Sequence, residues 1–401
     1  MIDYKIILDA AWAAHLALRE PNAPIVISLF AGCGGSSLGY SMAGYKELLA
    51  VESNKRTCET FRLNFPNIPI FEGDIAGLSD KEALRLAGLQ PGKLNILDGS
   101  PPCQGFSIAG RRQFGDPRNR LFEEYVRLLR AFLPEVFVLE NVSGLVKGKM
   151  VLAFAEMTRQ LKISGYKVKC RLLNAKWYGV PQSRKRLIWI GVRDDLGTEP
   201  SHPPAQTVPM ALHDALPHIN ACKSQRINPW INSKQPAATI TSLSRGYEIV
   251  SGQPAPTLQA KGIGEVWKEQ FVVSGDRGFL TEADLIEAAI KPTWQAYRVL
   301  LGKERPKHFG LQVVDPDRPS PTIIKDAGGF ATGLVYSGEI RKLTIPEIKR
   351  LQSFPDEFQV VGNFQQKWAQ IGNSVPPLMM RAIARYIRQE ILNRHSFQDL
   401  A

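Results

Sequence analysis

Short apolar runs alternate with helical stretches between about residues 25 and 193. Runs rich in β-branched residues predict strands, and apolar positions three or four residues apart predict helices. The predicted strands are Ile25–Phe30, Leu48–Val51, Ile68–Phe71, Leu94–Leu97, Glu135–Leu139 and Leu187–Val192, and predicted helices run to about Ala43 and over Ser53–Asn64. This alternation predicts an α/β fold with a doubly wound, mostly parallel sheet, which binds ligands at the carboxyl ends of its strands.

The pattern changes after Arg193, where proline and glycine become frequent and the helical periodicity lapses. A Pro-x-x-Thr pattern followed by a branched apolar residue recurs in 235–240, 253–258 and 318–323. It predicts a turn that leads into an extended segment. We predict a separate, irregular, β-containing domain over residues 196–340, with one helix near Glu282–Leu301.

Helices are predicted at both ends of the chain. The pattern of residues 1–24 indicates an amphipathic helical extension rather than a signal peptide, because Asp3, Asp9 and His15 interrupt the apolar stretch and no basic cluster precedes it. We expect this extension to pack on the sheet domain, residues 25–195. Later, Thr344 is a candidate helix N-cap and a final amphipathic helix follows Pro377. Residues 341–401 are expected to return to the sheet domain.

Charge and composition narrow the class of protein. No apolar run approaches the roughly 20 residues of a membrane span, so we expect a cytoplasmic protein with no membrane partner. Lys and Arg total 50 against 38 Asp and Glu, a net charge of +12, which favours a polyanionic partner such as nucleic acid. Residues 196–340 carry 14 basic and 14 acidic residues, so the whole basic excess lies in the flanking regions.

The five cysteines lie at positions 33, 58, 103, 170 and 222. No two have the close spacing of a zinc site or redox pair, so we expect reduced thiols and no metal. Each could be a nucleophile or a small buried apolar residue, and its local context must decide.

The first predicted strand ends in a glycine-rich segment, residues 28–39. Glycines between a strand and a helix let the backbone approach a ligand, either a dinucleotide or another adenosyl compound. Glu52 ends the second strand, where it could bind ribose hydroxyls, and Asp74 follows the third, where it could accept a hydrogen bond from an adenine amino group. Either acid alone is equally consistent with a solvated loop, but three strand ends in register favour an adenosyl ligand.

The fourth predicted strand leads into Asp98-Gly-Ser-Pro-Pro-Cys103. Two prolines fix the backbone before Cys103 and would hold its sulfur in a cleft. A free thiol has a pKa of about 8.5, so a nucleophilic cysteine needs a cationic or helix-N-terminal setting. The segment 108–120 contains two glycines and four arginines, which predicts a basic lid over an anionic substrate; a solvated charged loop is the alternative.

Two further segments carry candidate catalytic groups. Glu140 ends the fifth predicted strand, where it could donate a proton or hydrogen bond. Arg184 and Arg186 lie two residues apart, so in an extended segment both would face one side and could hold a carboxylate or meet a carbonyl oxygen. A solvated basic edge is the alternative for this run.

Together these segments resemble the C5-cytosine methyltransferases. The ordered motifs are the Phe30-to-Gly35 loop, Glu52, Asp74, Pro-Pro-Cys103, Glu140-Asn-Val, Gln182-x-Arg-x-Arg186, Arg341-Lys-Leu-Thr with Arg350-Leu-Gln-Ser-Phe-Pro355, and Gly372-Asn-Ser-Val-Pro376. They cover about residues 25–195 and 340–395, which leaves the first 24 residues and the segment 196–340 outside.

The resemblance implies a Rossmann-like methyltransferase that depends on S-adenosylmethionine and modifies a specific double-stranded DNA site. It implies that Cys103 is the nucleophile, that Glu140 contacts cytosine N3, and that Arg186, beside Arg184, contacts O2. The implied cofactor residues are Phe30, Gly32, Cys33, Gly34, Gly35, Glu52, Ser53, Asp74, Ile75, Pro102, Leu121, Asn373, Ser374 and Val375. Residues 196–340 correspond to a target-recognition domain.

The likeness to bacterial restriction–modification enzymes further implies a monomer that acts on the nucleoid and is paired with a restriction endonuclease. A tRNA-modifying branch of the family and a catalytically silent DNA-binding regulator are the alternatives. The candidate DNA contacts are Gln104, Ser107, Arg111, Arg112, Arg118, Arg245, Lys261 and Lys325.

Overall fold

The computed structural model describes residues 3–102, 120–146, 150–217, 238–243, 246–251, 258–259, 319–323, 333–336 and 339–393. Cys103, the eight candidate DNA contacts and the helix predicted near Glu282–Leu301 lie outside the described residues.

The chain divides into two compact units. One comprises Met1–Pro209 with Lys349–Ala401, and the other comprises Met210–Ile348. The return of the chain's last segment to the first unit brings residues from both ends of the sequence into one body. The chain passes from the first unit to the second at Met210 and returns to the first at Lys349. The domain limits at residues 196 and 340 therefore stay a prediction.

One sheet forms the centre of the first unit. Its strands are β1 (Ile25–Leu29), β2 (Lys46–Glu52), β3 (Ile70–Glu72), β4 (Ile96–Gly99), β5 (Val136–Val142), β6 (Tyr166–Asn174) and, after the short β7 (Gln182–Ser183), β8 (Lys185–Arg193). The strand order is β3-β2-β1-β4-β5-β8-β6. Strands β1 to β5 run parallel, and β8 is antiparallel to both β5 and β6. The predicted α/β class with a mostly parallel sheet is confirmed.

The described residues also form ten α-helices. They are α1 (Tyr4–Leu16), α2 (Gly35–Met42), α3 (Lys55–Asn64), α4 (Asp80–Ala87), α5 (Arg120–Phe132), α6 (Val151–Ile163), α7 (Leu212–Ala215), α8 (Ile345–Leu351), α9 (Phe364–Asn373) and α10 (Pro377–Ile387). None of them is long and apolar enough to cross a membrane.

The central strands are buried on both faces, as their near-continuous apolar runs require. In β1, Val26, Ile27 and Leu29 are almost completely buried. On one face, Ile27 and Leu29 belong to a core that includes Phe122 and Leu129 of the amphipathic helix α5. This burial supplies the main favourable free energy that holds the strand ends in place.

The sequence missed β6. Its apolar residues are interrupted by Lys167, Lys169 and Arg171, so no apolar run marks the strand. As the last strand in the sheet order, β6 has one neighbour, and polar side chains are common on such edge strands. The other strand predictions agree with the structure to within a few residues.

The second unit is described in part. It contains β9 (Ala238–Leu243), β10 (Gly246–Ser251) and β11 (Leu258–Gln259), which pair antiparallel, together with β12 (Ser320–Pro321) and the antiparallel pair β13 (Gly333–Tyr336) and β14 (Glu339–Lys342). Extended segments therefore lie at all three Pro-x-x-Thr patterns.

The predicted helix N-cap at Thr344 is also confirmed. Its backbone N–H donates to Glu347 Oε2 (2.7 Å), and its hydroxyl accepts from the Glu347 N–H.

Candidate active site

The carboxyl ends of four parallel strands form one edge of the sheet. Leu29 of β1 pairs with Val51 of β2 and with Gly99 of β4, and Gly99 pairs with Leu139 of β5. Since β2 and β4 lie on opposite sides of β1, the loops after β1 and β4 leave in opposite directions. Ligands bind in the crevice that such a switch in strand order creates. The glycine loop and the segment before Cys103 border this crevice.

The glycine loop after β1 makes a tight left-handed turn. Phe30, Gly32 and Gly34 have positive φ angles of 56°, 58° and 98°, and the Gly34 N–H donates to Ala31 O at 3.1 Å. A Cβ at Gly34 would overlap the Phe65 ring, whereas a Cβ at Gly32 would meet nothing within 4 Å. Gly34 is therefore required by packing, while Gly32 faces the open space of the cleft.

Glu52 fixes the glycine loop to the end of β2. Its Oε2 accepts from the Gly32 N–H at 3.0 Å, and its Oε1 accepts from the Asn54 N–H at 2.8 Å. Each carboxylate oxygen has a second lone pair, so hydroxyl donors of a ligand could still be bound. The next residue, Ser53, is exposed.

Asp74 lies beyond the end of β3 and is exposed. Its Oδ1 accepts from the Ala76 N–H at 3.0 Å and caps the short 3₁₀ turn Ile75–Gly77. Ile75 is buried in the core. The turn therefore holds both residues at the strand edge where the sequence places an adenine contact.

The segment near the chain's end reaches the glycine loop. Ser374 Oγ lies 3.0 Å from Cys33 Sγ and donates to Gln370 O at 2.8 Å. Gln352 Nε2 donates to Ser374 O at 2.6 Å. A Cβ at Gly35 would overlap the Val375 carbonyl oxygen. The structure thus brings together two groups of predicted cofactor residues that are far apart in sequence, while Asn373 beside them is exposed.

Burial separates Cys33 from nucleophilic chemistry. It raises the pKa of the Cys33 thiol to about 12, and burial also raises the pKa values of Cys58 and Cys170 to about 12. A thiol that stays protonated near neutral pH is a poor nucleophile. None of these three described cysteines is therefore poised to act as a nucleophile.

Asn141 connects the end of β5 to the segment that precedes Cys103. Its Nδ2 donates to Pro101 O at 3.2 Å, and its Oδ1 accepts from the Val142 N–H at 2.8 Å. Pro101 is buried, and Pro102 after it is exposed. Asn141 belongs to the Glu-Asn-Val motif, and the sequence alone assigns it no role. Its position next to Glu140 is the sequence signal that could have found it. Leu121, one residue into α5, is half-buried.

Glu140 and Arg186 form an ion pair across neighbouring strands. Glu140 Oε1 lies 2.6 Å from Arg186 Nε, and the side chains are only 10% and 13% exposed. The antiparallel register pairs Arg186 with Val142. A charge-assisted hydrogen bond between two such buried side chains fixes the orientation of both groups.

Arg184 lies deeper than Arg186. It is 1% exposed, and its Nη2 donates to Gly372 O at 2.9 Å. Burial lowers its pKa well below the ordinary value, and the charge of Arg186 adds to this effect while Glu140 opposes it. The charge of Arg184 therefore interacts with the charges of Glu140 and Arg186, the predicted catalytic pair. Arg184 also holds Gly372, the residue directly before Asn373.

Two buried carboxyl groups near β1 were missed by the sequence. Burial raises the pKa of Asp98, on β4, to about 8 and that of Glu47, on β2, to about 7. Tyr40 donates its hydroxyl to Asp98 Oδ1 at 3.3 Å, and Ser37 donates to Glu47 Oε1 at 3.0 Å. Asp98 stands one residue before the end of the strand that leads to Cys103.

Comparisons with known proteins agree on one family. The family model for C-5 cytosine-specific DNA methylase matches residues 25–389. Type II methyltransferase M1.HphI of Haemophilus parahaemolyticus is 35% identical over 366 residues, which cover 90% of this chain and 86% of that protein. Type II methyltransferase M.XorII of Xanthomonas oryzae pv. oryzae is 32% identical over 381 residues, covering 92% and 85%.

Solved structures show the same fold. A prophage-encoded E. coli protein described as a DNA modification methyltransferase superposes with a TM-score of 0.60 at 24% identity, covering 92% of this chain and all of that one. The S. pombe Dnmt2 methyltransferase superposes with a TM-score of 0.55 at 17% identity, covering 92% and 99%.

Proposed function

The chain belongs to the C-5 cytosine-specific DNA methylase family, and on that premise we propose that it methylates C5 of a flipped-out cytosine in a specific double-stranded DNA site through a covalent bond from Cys103 to C6. It is a DNA (cytosine-5-)-methyltransferase, with a methyl-donor cofactor and a DNA substrate. The donor that we propose is S-adenosylmethionine.

The observation that carries the mechanism is the ion pair between Glu140 and Arg186 at the carboxyl edge of the sheet. Asn141, next to Glu140, contacts Pro101, two residues before Cys103. The pair therefore lies one strand away from the segment that leads to the nucleophile. This is the arrangement that a reaction needs when one residue attacks a ring and others stabilise the charge that develops on it.

Cytosine C5 is weakly nucleophilic until a nucleophile adds at C6. The Cys103 thiolate forms the bond to C6, and the electron density moves towards N3 and O2. Glu140 would hydrogen-bond or protonate N3. A guanidinium has five N–H groups, and Arg186 uses Nε for Glu140 and Nη1 for Lys185 O, so donors remain for O2.

The adduct makes C5 able to accept a methyl group, which a bound S-adenosylmethionine would supply. A base then removes the C5 proton, the C5–C6 double bond re-forms and Cys103 leaves as a thiolate. Since C5 cannot be reached inside a duplex, the cytosine must leave the base stack first, at a cost of a few kcal/mol.

The residues present fit an adenosyl cofactor. Gly32 faces open space, and the carboxylate of Glu52 holds the Gly32 N–H. The residues that would hold the cofactor are Phe30, Gly32, Cys33, Gly34, Gly35, Glu52, Ser53, Asp74, Ile75, Pro102, Leu121, Asn373, Ser374 and Val375. Cys33, buried against Ser374, would support the pocket wall.

The relatives named Type II methyltransferases support a role in a restriction–modification system, with a cognate endonuclease as the functional partner. We propose that the enzyme acts as a cytoplasmic monomer, with residues 196–340 as its target-recognition domain and 341–401 returning to the catalytic domain. The same relatives favour DNA over tRNA as substrate.

A transfer assay with labelled S-adenosylmethionine tests the proposal. The full-length protein should label duplex DNA and leave tRNA unlabelled, and bisulfite sequencing should locate the product at one sequence context. DNA carrying 5-fluorocytosine at that site should trap a covalent complex, and Cys103→Ser should abolish both the trapping and the transfer while cofactor binding persists. Labelling of tRNA alone, or trapping by Cys103→Ser, would overturn the proposal.

A further inference from the structure

The helical extension lies ahead of residue 25, where the family match begins. Helix α1 buries Tyr4, Leu8 and Ala11 along one face and packs against α2, as the sequence predicted. Helix α2 begins at Gly35, at the end of the glycine loop. The extension is therefore attached to the element that carries the cofactor loop.

Arg19 joins the C-terminal end of α1 to the last turn of α2 and to Tyr45, which follows α2. Its guanidinium donates to the carbonyl oxygens of Ala14 (3.3 Å) and His15 (2.7 Å) at the helix C-terminus, where a cation is favoured. The same guanidinium donates to Ser41 Oγ on α2 and, through Nε, to Tyr45 O at 2.9 Å. One side chain thus fixes α1 to α2.

His15 makes a second set of contacts with defined donors. Nε2 lies 3.2 Å from Asn64 O, which can only accept, so Nε2 carries the hydrogen. In the neutral ring Nδ1 then accepts from the Ser41 hydroxyl at 2.7 Å. Burial lowers the pKa of His15 to about 4, and the charge of Arg19 acts in the same direction while the bond to Asn64 opposes it.

Phe65 connects His15 to the glycine loop. The His15 and Phe65 rings meet edge to face, with centroids 5.2 Å apart at 79°. The Phe65 ring fills the space that a Cβ at Gly34 would occupy. The contacts therefore run without a break from His15 through Phe65 to Gly34, and from His15 and Arg19 through Ser41 to α2.

We propose that His15 and Arg19 are positioning residues that hold the glycine loop in its cofactor-binding conformation, so that the N-terminal extension sets the affinity for the methyl donor. The inference rests on the proposed function, because it takes residues 30–35 as part of the cofactor site. A loop held in its bound conformation loses less conformational freedom on binding, which raises affinity. Neither residue touches the reacting atoms.

The test measures the Kd of S-adenosylmethionine by calorimetry, and the KM of DNA and kcat at saturating cofactor, for full-length variants. His15→Ala and Arg19→Ala should each weaken cofactor binding by about fivefold or more, the lower end of coupling between distinct sites, and leave the KM of DNA within about twofold. His15→Gln, which keeps an N–H donor, should recover part of the affinity. Leu18→Ala, at a 98% exposed position of the same extension, should bind as the wild type does.

Two further variants separate positioning from a general loss of stability. Ser79→Ala removes the N-cap of α4, which lowers stability elsewhere and should leave the Kd unchanged. In a Phe65→Leu background, His15→Ala should raise the Kd by less than about twofold, because the effects of substitutions at residues in contact with each other are not additive.

Equal cofactor affinity in His15→Ala, Arg19→Ala and the wild type would overturn this inference alone, as would a full additive effect in the Phe65→Leu background. A wild-type protein that bound no S-adenosylmethionine would instead overturn the proposed function.

Discussion

Arg186 Nε lies 2.6 Å from Glu140 Oε1, across the only antiparallel junction that β5 makes in the described sheet. Because β8 runs against β5, Arg186 stands opposite Val142 at the carboxyl edge, where the parallel strands also end. The guanidinium thus comes from the start of one strand and the carboxylate from near the end of another. This reversal places the guanidinium beside the Glu140 carboxylate at the carboxyl edge of the sheet.

Replacing Glu140 should remove the group that acts on cytosine N3. We expect Glu140→Gln to lower kcat by about 10²- to 10⁴-fold, the usual worth of a positioned acid or base, with little change in the Kd of the cofactor. Glu156→Gln is the matched control, because Glu156 forms an ion pair of 2.7 Å with Arg159 within helix α6. A Glu140→Gln enzyme within threefold of the wild-type kcat would contradict the role.

Loss of the Glu52 carboxylate should weaken the cofactor site. In Glu52→Ala the backbone N–H groups of Gly32 and Asn54 lose their acceptor, and a hydrogen bond to a charged group contributes about 1.5–3 kcal/mol. We expect the Kd of S-adenosylmethionine, measured by calorimetry, to rise at least about tenfold, which corresponds to about 1.4 kcal/mol. Glu72→Ala on β3 serves as the control, and an unchanged Kd in Glu52→Ala would refute the assignment.

Asn141 should matter for stability and for rate. Asn141→Ala leaves the buried Pro101 carbonyl without its side-chain donor, which costs about 1–3 kcal/mol, and it frees the segment before Cys103. Urea unfolding should show the loss of stability, and kcat should fall further than in Ser79→Ala, a variant that loses a helix cap at a comparable cost. Equal kcat values in the two variants would mean that Asn141 is structural alone.

The stability of the protein should depend on the protonation of Asp98. Burial raises its pKa to about 8, against about 3.9 in the unfolded chain. The contribution is therefore fully present below pH 4 and is lost as the pH rises through 8, at no more than about 1.4 kcal/mol per pH unit.

The measurement compares urea unfolding of the wild type with that of Asp98→Asn, which cannot ionise, at several pH values from 5 to 8. The free energy of unfolding of the wild type should fall relative to the variant across this range. Curves that stay parallel would show that Asp98 is ionised in the folded protein.

The sequence predicted most strands of the sheet because their signals are local. A run such as Ile25–Leu29 is apolar at every position except Ser28, and the glycines after it mark the turn. By contrast, β6 carries Lys167, Lys169 and Arg171 among its apolar residues, so its place in the sheet depended on pairing with β8. Pairing between distant segments leaves no mark on a short window of sequence.

The chain's own sequence determined the fold class, the glycine loop and the order of the motifs, because backbone preferences and the spacing of apolar residues act over a few positions. Only the tertiary structure decided that Ser374 meets Cys33, that Asn141 holds Pro101 and that His15 reaches Phe65. Each of those contacts joins segments far apart in the chain, and the packing of the whole sheet selects them from many alternatives that the residue types alone would allow.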